Sequence, residues 1–241
     1  FTQGKLVLTN CTFVGDCSHA LTAGVASVTA SGSGSVDLSD CAFIGCAGCV
    51  RLSGTGVSRI AGTTFRENCF NALIDVSDTH RVTVEGCDFR RNWSTQSNLA
   101  LVHLASQTTG NLIADCRFAD NYLMGHSYGA VHLSGTTNRV LRCAFIGNRN
   151  SDWSYVYPLN DGPKTITWMP AQSACLSSES TKYGEIRDCS FTGNALSLSA
   201  ETTVGAALVC YSAGNSHTLF VNCNLSGNTV RTDGTGVGAL L

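Results

Sequence analysis

The chain has 241 residues, of which 13% are Asp, Glu, Lys or Arg, about half the roughly 25% common in globular domains. A formal net charge of −2 leaves no basic footprint and no acidic tail, so nucleic acid is excluded as a partner. No apolar run reaches the roughly 18 to 20 residues of a membrane span, and Phe1 to Leu8 lack the charged start, apolar stretch and cleavage site of a secretory signal.

From the first residues the chain repeats itself. Leu6 to Asn10 reads as a strand running into a cysteine, and the same pattern returns at Cys11-Thr12-Phe13, Cys41-Ala42-Phe43, Thr63-Thr64-Phe65, Cys87-Asp88-Phe89, Cys116-Arg117-Phe118, Cys143-Ala144-Phe145, Cys189-Ser190-Phe191 and Cys223-Asn224-Leu225. These eight starts lie 30, 22, 24, 29, 27, 46 and 34 residues apart. The shortest spacings equal one turn of a three-sided β-helix, and the longer coils carry loops. Gly236 to Leu241 resembles the opening of another coil, so 1–241 is expected to be a single β-helix domain cut from a longer protein.

Each column of the repeat has a physical reading. Leu8, Leu38, Ile60, Val84, Ile113, Val140, Ile186 and Phe220 stand three residues before the motif and, with the Phe two residues after its start, predict stacked inward columns. The cysteine suits the same interior, since a thiol packs as a small apolar group. Three residues after the Phe come Asp16, Cys46, Asn68, Asn92, Asn121, Asn148, Asn194 and Asn228. Asparagine tolerates a left-handed turn and stacks donor on acceptor from coil to coil, so the six asparagines predict an internal ladder at a corner between sheets. Asp40, Asp115 and Asp188, with Asn10 and Asn222, share the position before the motif, which is turn chemistry.

A further strand precedes each motif by about a dozen residues: Val50–Ser53, Ile74–Ser77, Val102–Ala105, Val131–Ser134, Ala174–Ser177 and Val209–Ser212. Alternation turns the second residue of each outward, giving a row of Arg51, Asp75, His103, His132, Cys175 and Cys210. Strand rows with no helical period and only three prolines exclude a βαβ arrangement, leaving an all-β, right-handed parallel β-helix of about eight coils.

The segments Phe65 to Asn68, Phe89 to Asn92, Phe118 to Asn121, Phe145 to Asn148 and Phe191 to Asn194, alternating with Gly129-Ala130-Val131, Gly205-Ala206-Ala207 and Gly238-Ala239-Leu240, resemble the Phe-x-x-Asn and Gly-Gly-Ala-Ile repeats of the polymorphic outer-membrane protein family of adhesin passengers. The Gly-Ala element is missing from the early coils. The resemblance implies a β-helix, an extracellular or cell-surface location and an adhesive use.

Thirteen cysteines would ordinarily signal a disulfide framework or metal sites. Seven of them hold the inward motif position, where Thr63 replaces one, and this column is expected to be reduced packing material. Coil spacing nonetheless permits bonds such as Cys87 to Cys116 or Cys116 to Cys143. Cys17, Cys46, Cys49 and Cys69 form a separate cluster in which disulfides and free thiols are both open readings. Cys46-Ala-Gly-Cys49 has no second pair at zinc-finger distance.

The search for chemistry returns little. His103 and His132 on successive coils offer two imidazoles for a shared metal or proton, against the plainer reading of an exposed polar ladder. No paired carboxylates, no acidic cluster for calcium and no further convergent group accompany them, so no catalytic residue, metal or cofactor is assigned. The large departure from the repeat is residues 149–173, which hold Trp153, Tyr155, Tyr157, Trp168 and all three prolines. Aromatics on a stiffened loop suit a sugar-stacking or protein-binding surface, or else fold back to cover the solenoid. The reading is therefore a non-enzymatic surface or extracellular module for adhesion, binding or assembly through the ends or side of the solenoid, with a glycan or protein ligand. A polysaccharide lyase or glycoside hydrolase acting beside the 149–173 loop is the alternative.

Overall fold

The computed structural model describes residues 2–16, 26–69, 72–94, 100–124, 128–151, 153–157, 165–169, 173–179, 181–198, 209–212 and 217–232. Within them the chain winds into a right-handed parallel β-helix, as parallel crossovers in one sheet do, and no helix occurs. Four parallel sheets form its faces. An aliphatic sheet runs from Lys5–Thr9 through Ser35–Ser39, Val57–Ala61, Arg81–Glu85, Leu112–Ala114, Arg139–Leu141 and Glu185–Arg187 to Leu219–Val221. A phenylalanine sheet of eight strands follows it around the coil, from Thr12–Val14 to Asn224–Ser226. A short sheet holds Trp93–Ser94, Tyr122–Met124, Arg149–Ser151, Ala195–Leu198 and Thr229–Thr232. A histidine sheet holds Val28–Ala30, Val50–Leu52, Ile74–Val76, Val102–Leu104, Val131–Leu133, Leu176–Glu179 and Val209–Ser212. The three-sided expectation thus becomes a four-faced coil from Trp93 onward, because the chain after the ladder corner is long enough there to pair as a strand of its own.

The aliphatic column stands in unbroken register: Leu8 pairs with Leu38, and the series runs through Ile60, Val84, Ile113, Val140 and Ile186 to Phe220. The six inner members are fully buried, whereas Leu8 is half-buried and Phe220 exposed at the two ends of the described stack. Beside it Phe13, Phe43, Phe65, Phe89, Phe118, Phe145 and Phe191 stack ring on ring, with centroids 4.5 to 5.2 Å apart and planes within 7° of parallel. The strand spacing of about 4.8 Å imposes that geometry.

Two corners bend each coil. At the first, the residue before the motif cysteine is left-handed: φ is 54° at Asn10, Asp40 and Asp115, 52° at Arg142, 55° at Asp188 and 51° at Asn222, with glycines 62 and 86 at the remaining coils. The thiol that follows closes the bend by donating to the carbonyl two residues earlier, Cys116 Sγ to Ala114 at 3.1 Å and Cys189 Sγ to Arg187 at 3.3 Å. Thr63 Oγ1 makes the same bond to Ala61 at 3.0 Å. The column therefore selects a small side chain with a donor, which is why Thr replaces Cys there.

At the second corner the asparagines form the expected ladder, with one difference. The left-handed residue is the one before each asparagine, Glu67, Arg91 and Asp120 with φ of 57°, 52° and 54°, and glycines 147, 193 and 227 in later coils. The asparagine itself turns inward, because that orientation lets the amide span three coils. Asn121 Nδ2 donates to Phe89 O at 2.9 Å and to Asn148 Oδ1 at 2.8 Å, while its Oδ1 accepts from Asn92 N at 3.0 Å and Asn92 Nδ2 at 2.9 Å. The pattern recurs from Asn68 to Asn228, and Cys46 N ends the ladder by donating to Asn68 Oδ1. Replacing Asn121 by Leu keeps similar bulk but strips donors and acceptors from both neighbours, and should cost about 2 kcal/mol or more. Urea unfolding of the Asn121→Leu variant measures it; a change near zero would mean that the ladder is present but energetically idle.

Candidate functional site

The histidine sheet carries the chemically richest row. Thr29, Arg51, Asp75, His103, His132, Ser177 and Cys210 occupy one register position on successive coils. Ser177 stands where Cys175 was expected. Val131 pairs with Leu176, so Cys175 falls one residue ahead of the strand and is fully buried. The stretch between strand and motif varies in length from coil to coil, and counting back from the motif slipped the register by two residues.

Across this row the polar groups are joined. Arg51 Nε lies 3.5 Å from Asp75 Oδ2, and His103 Nδ1 donates to Asp75 Oδ1 at 2.9 Å. The His103 and His132 rings stack at 5.2 Å, Tyr128 stacks on His132 at 4.1 Å, and His132 Nδ1 shares a hydrogen bond with Ser177 Oγ at 2.8 Å. The exposed polar ladder expected from sequence is therefore half covered: His132 is 4% exposed and Ser177 3%. Coordination lone pairs lie in the imidazole plane, and two planes 13° from parallel at this separation do not aim them at one ion. Among the described residues no group of three His, Cys, Asp or Glu side chains is placed to hold a metal. Burial, with His103 beside it, holds the His132 pKa down at about 3, so that ring is a neutral hydrogen-bonding partner and a poor base. His103 is the accessible imidazole of the row, with its Nδ1 proton fixed by Asp75 and its Nε2 left for another partner.

Trp153, Tyr155, Tyr157 and Trp168 lie on an antiparallel hairpin, Trp153–Tyr157 against Thr165–Met169, with Ser154 opposite Trp168 and Tyr157 opposite Thr165. The hairpin rises between Arg149–Ser151 of the short sheet and Leu176–Glu179 of the histidine sheet, the strand that bears Ser177. Pro158, Pro163 and Pro170 lie outside the described residues.

One surface escaped the sequence reading. Trp93, Tyr122 and Arg149 each follow a ladder asparagine and pair in succession on the short sheet. Trp93 is 57% exposed and Tyr122 41%, and Arg149 is exposed beside them. Aligning the coils on the asparagines and inspecting the next position would have found them.

The cysteines divide as the repeat divides. Cys11, Cys41, Cys87, Cys116, Cys143, Cys189 and Cys223 are free, so the bonds that coil spacing permits between Cys87, Cys116 and Cys143 are not made. Neighbouring thiols and burial push Cys116 well above the ordinary thiol range. In the second cluster Cys69 is disulfide-bonded, Cys46 and Cys49 are free, and Cys17 lies outside the described residues. The Cys49 thiol lowers the Cys46 pKa to about 6, and burial raises that of Cys49 well above the usual value. Two further buried polar pairs, also missed, are Ser58 Oγ with His80 Nε2 at 2.8 Å and Asn111 Nδ2 donating to Asn138 Oδ1 at 2.9 Å. Their residue types change from coil to coil, so no column announced them.

The sequence profile described as a right-handed beta helix region matches residues 1–237, and the chain belongs to that family. No curated protein matches it.

Two measurements follow. Thiol titration of the denatured, unreduced chain should count at least ten free thiols, the number of described free cysteines; a count near one would overturn the packing role of the column. His132 is neutral when folded, and its unfolded pKa is about 6.5. Its stabilising contribution is therefore complete above about pH 6.5 and falls as the pH drops toward about 3. Going from pH 7.5 to pH 5 should remove about 2 kcal/mol through this residue, with buried His80 acting in the same sense. His132→Phe should flatten the slope of unfolding free energy against pH, and identical slopes would refute the assignment.

Proposed function

We propose that this β-helix is a non-enzymatic module of the cell surface or extracellular space, a rigid rod that presents residues 149–173 to a protein or glycan ligand. The observation that carries the reading is the hairpin of Trp153–Tyr157 and Thr165–Met169. It interrupts a stack whose flanking strands, Arg149–Ser151 and Leu176–Glu179, keep their pairing with the coils on either side. A rigid scaffold under an aromatic excursion is how binding loops are held at low entropic cost. The disulfide at Cys69 suits an oxidising compartment. The likeness of the Phe-x-x-Asn repeats to adhesin passengers supports the same use.

A second reading, a polysaccharide lyase or glycoside hydrolase, is favoured by one observation: the Asp75–His103 pair, which fixes the imidazole tautomer on an outer face. Incubating the chain with a panel of uronic-acid and neutral glycans, with and without calcium, separates the two. Under the binding reading no new reducing or unsaturated ends form, and arrayed glycans and extracellular-matrix proteins retain the chain. The Trp153→Ala, Tyr155→Ala double variant should then lose about ten-fold in affinity or more at an unchanged unfolding midpoint. Product formation that His103→Ala abolishes would replace the binding reading with the enzymatic one, and retention that ignores the double variant would remove the hairpin from it.

A further inference from the structure

We propose that the run of thiols Cys87, Cys116, Cys143, Cys189 and Cys223 binds soft monovalent metal ions of the Cu(I) class, each ion held in line between the sulfurs of two adjacent coils. The site is distinct from the hairpin and stands whether or not the hairpin binds.

One thiol per coil faces the interior, and the backbone fixes its place. Amides of the next coil donate to the cysteine carbonyls, Arg117 N to Cys87 O, Ala144 N to Cys116 O, Ser190 N to Cys143 O and Asn224 N to Cys189 O, each at 2.9 Å. The side chains repeat as closely. Each of the five sulfurs lies 3.1 to 3.5 Å from the carbonyl two residues back and 3.6 to 3.7 Å from a carbonyl of the coil before. One placement repeated on coils about 4.8 Å apart draws the sulfurs into a straight file at that spacing. The phenylalanine rings two residues on keep the same pitch, with centroids 4.6 to 4.9 Å apart from Phe89 to Phe191. A thiolate bond to a small d10 metal ion is about 2.3 Å long, so two such bonds in line span about 4.6 Å and fit the gap between neighbouring sulfurs.

Geometry and charge select the ion. A file of sulfurs offers two donors on opposite sides of each gap and does not bring together the convergent ligands of a tetrahedral Zn(II) centre, a grouping that is absent among the described residues. Soft ions that accept two thiolates in line remain, and Cu(I) is the one that thiolate sites select. All five cysteines are free, and the first four are buried, so the interior must stay neutral as ions enter. A monovalent ion meets that condition by displacing one thiol proton. Four ions then replace four of the five protons, each inner sulfur bridges two ions, and the column carries no net charge. Half-buried Cys223 leaves one end of the file open for entry. The fold itself needs no ion, since Thr63 makes the same corner bond with a hydroxyl. What a hydroxyl lacks is affinity for a soft ion, and Thr63 separates the run of five from the outlying pair Cys11 and Cys41.

The test titrates the reduced full chain with Ag(I), an air-stable ion of the same class, in chloride-free buffer and counts bound ions by native mass spectrometry. Five thiols in file enclose four gaps. Replacing an inner member, Cys116→Thr or Cys143→Thr, breaks two gaps and should remove two ions, whereas Cys223→Thr at the end should remove one. The column itself carries threonine at position 63, so the variants should fold, and ions on thiols outside the run cancel in the differences. X-ray absorption of the parent loaded with Ag(I) or Cu(I) should show two sulfur neighbours in line, and the unfolding midpoint should rise on loading. Zn(II) should bind the parent and the variants alike. Loss of a single ion for every replaced cysteine, whatever its position, would overturn the shared file. Three or four sulfur neighbours, or a midpoint lowered by the ion, would overturn it as well, and both readouts on the parent decide the question even where a variant fails to fold.

Discussion

A primary amide sealed inside a protein has two hydrogens to give and an oxygen that accepts twice, and leaving any of these unmet is costly. In this chain each ladder asparagine meets them with a copy of itself one coil away and with the phenylalanine carbonyl one coil the other way. The requirement propagates. It fixes the corner, the corner fixes the end of the phenylalanine strand before it and the start of the short strand after it, and the rings then stack because their backbones already do. One coil cannot satisfy its own asparagine, so the repeat stabilises only as an array.

The other corner obeys the same rule with a weaker group. A thiol one residue after a left-handed bend donates to the carbonyl two residues back and faces a carbonyl of the coil before, as Cys143 does toward Leu141 and Ile113. Packing and hydrogen bonding thus explain most of the cysteine content without bonds or metals. Cys46 stands where the asparagine column has not yet begun, in place of the amide, and its free thiol faces the carbonyls of Ile44 and of Phe13 in the coil before.

With its interior fixed, the solenoid's outer residues vary independently, and function is read from which outward rows depart from simple charge alternation. The aliphatic face alternates charges and neutralises itself. The histidine row is tied together internally, Asp75 to His103 and His132 to Ser177, and half covered by Tyr128, so most of its polar capacity is spent within the protein. On the short sheet Trp93, Tyr122 and Arg149 are exposed.

Most of the architecture was written in the sequence, because a solenoid repeats one local solution and an identical residue at an identical corner reads the same in every coil. Leu38, Phe89 and Asn121 could be placed inside without knowing any long-range contact. What only the tertiary structure decided lies where the repeat changes length or composition. The variable turn before each motif hid the register that brings Ser177, and not Cys175, to His132. The shift of the left-handed residue to the position before each asparagine depended on where an amide must sit to reach three coils. The adjacency of Trp93, Tyr122 and Arg149 arises from winding alone, since residues 29 and 27 positions apart in the chain become neighbours only when each coil closes on the one beneath it.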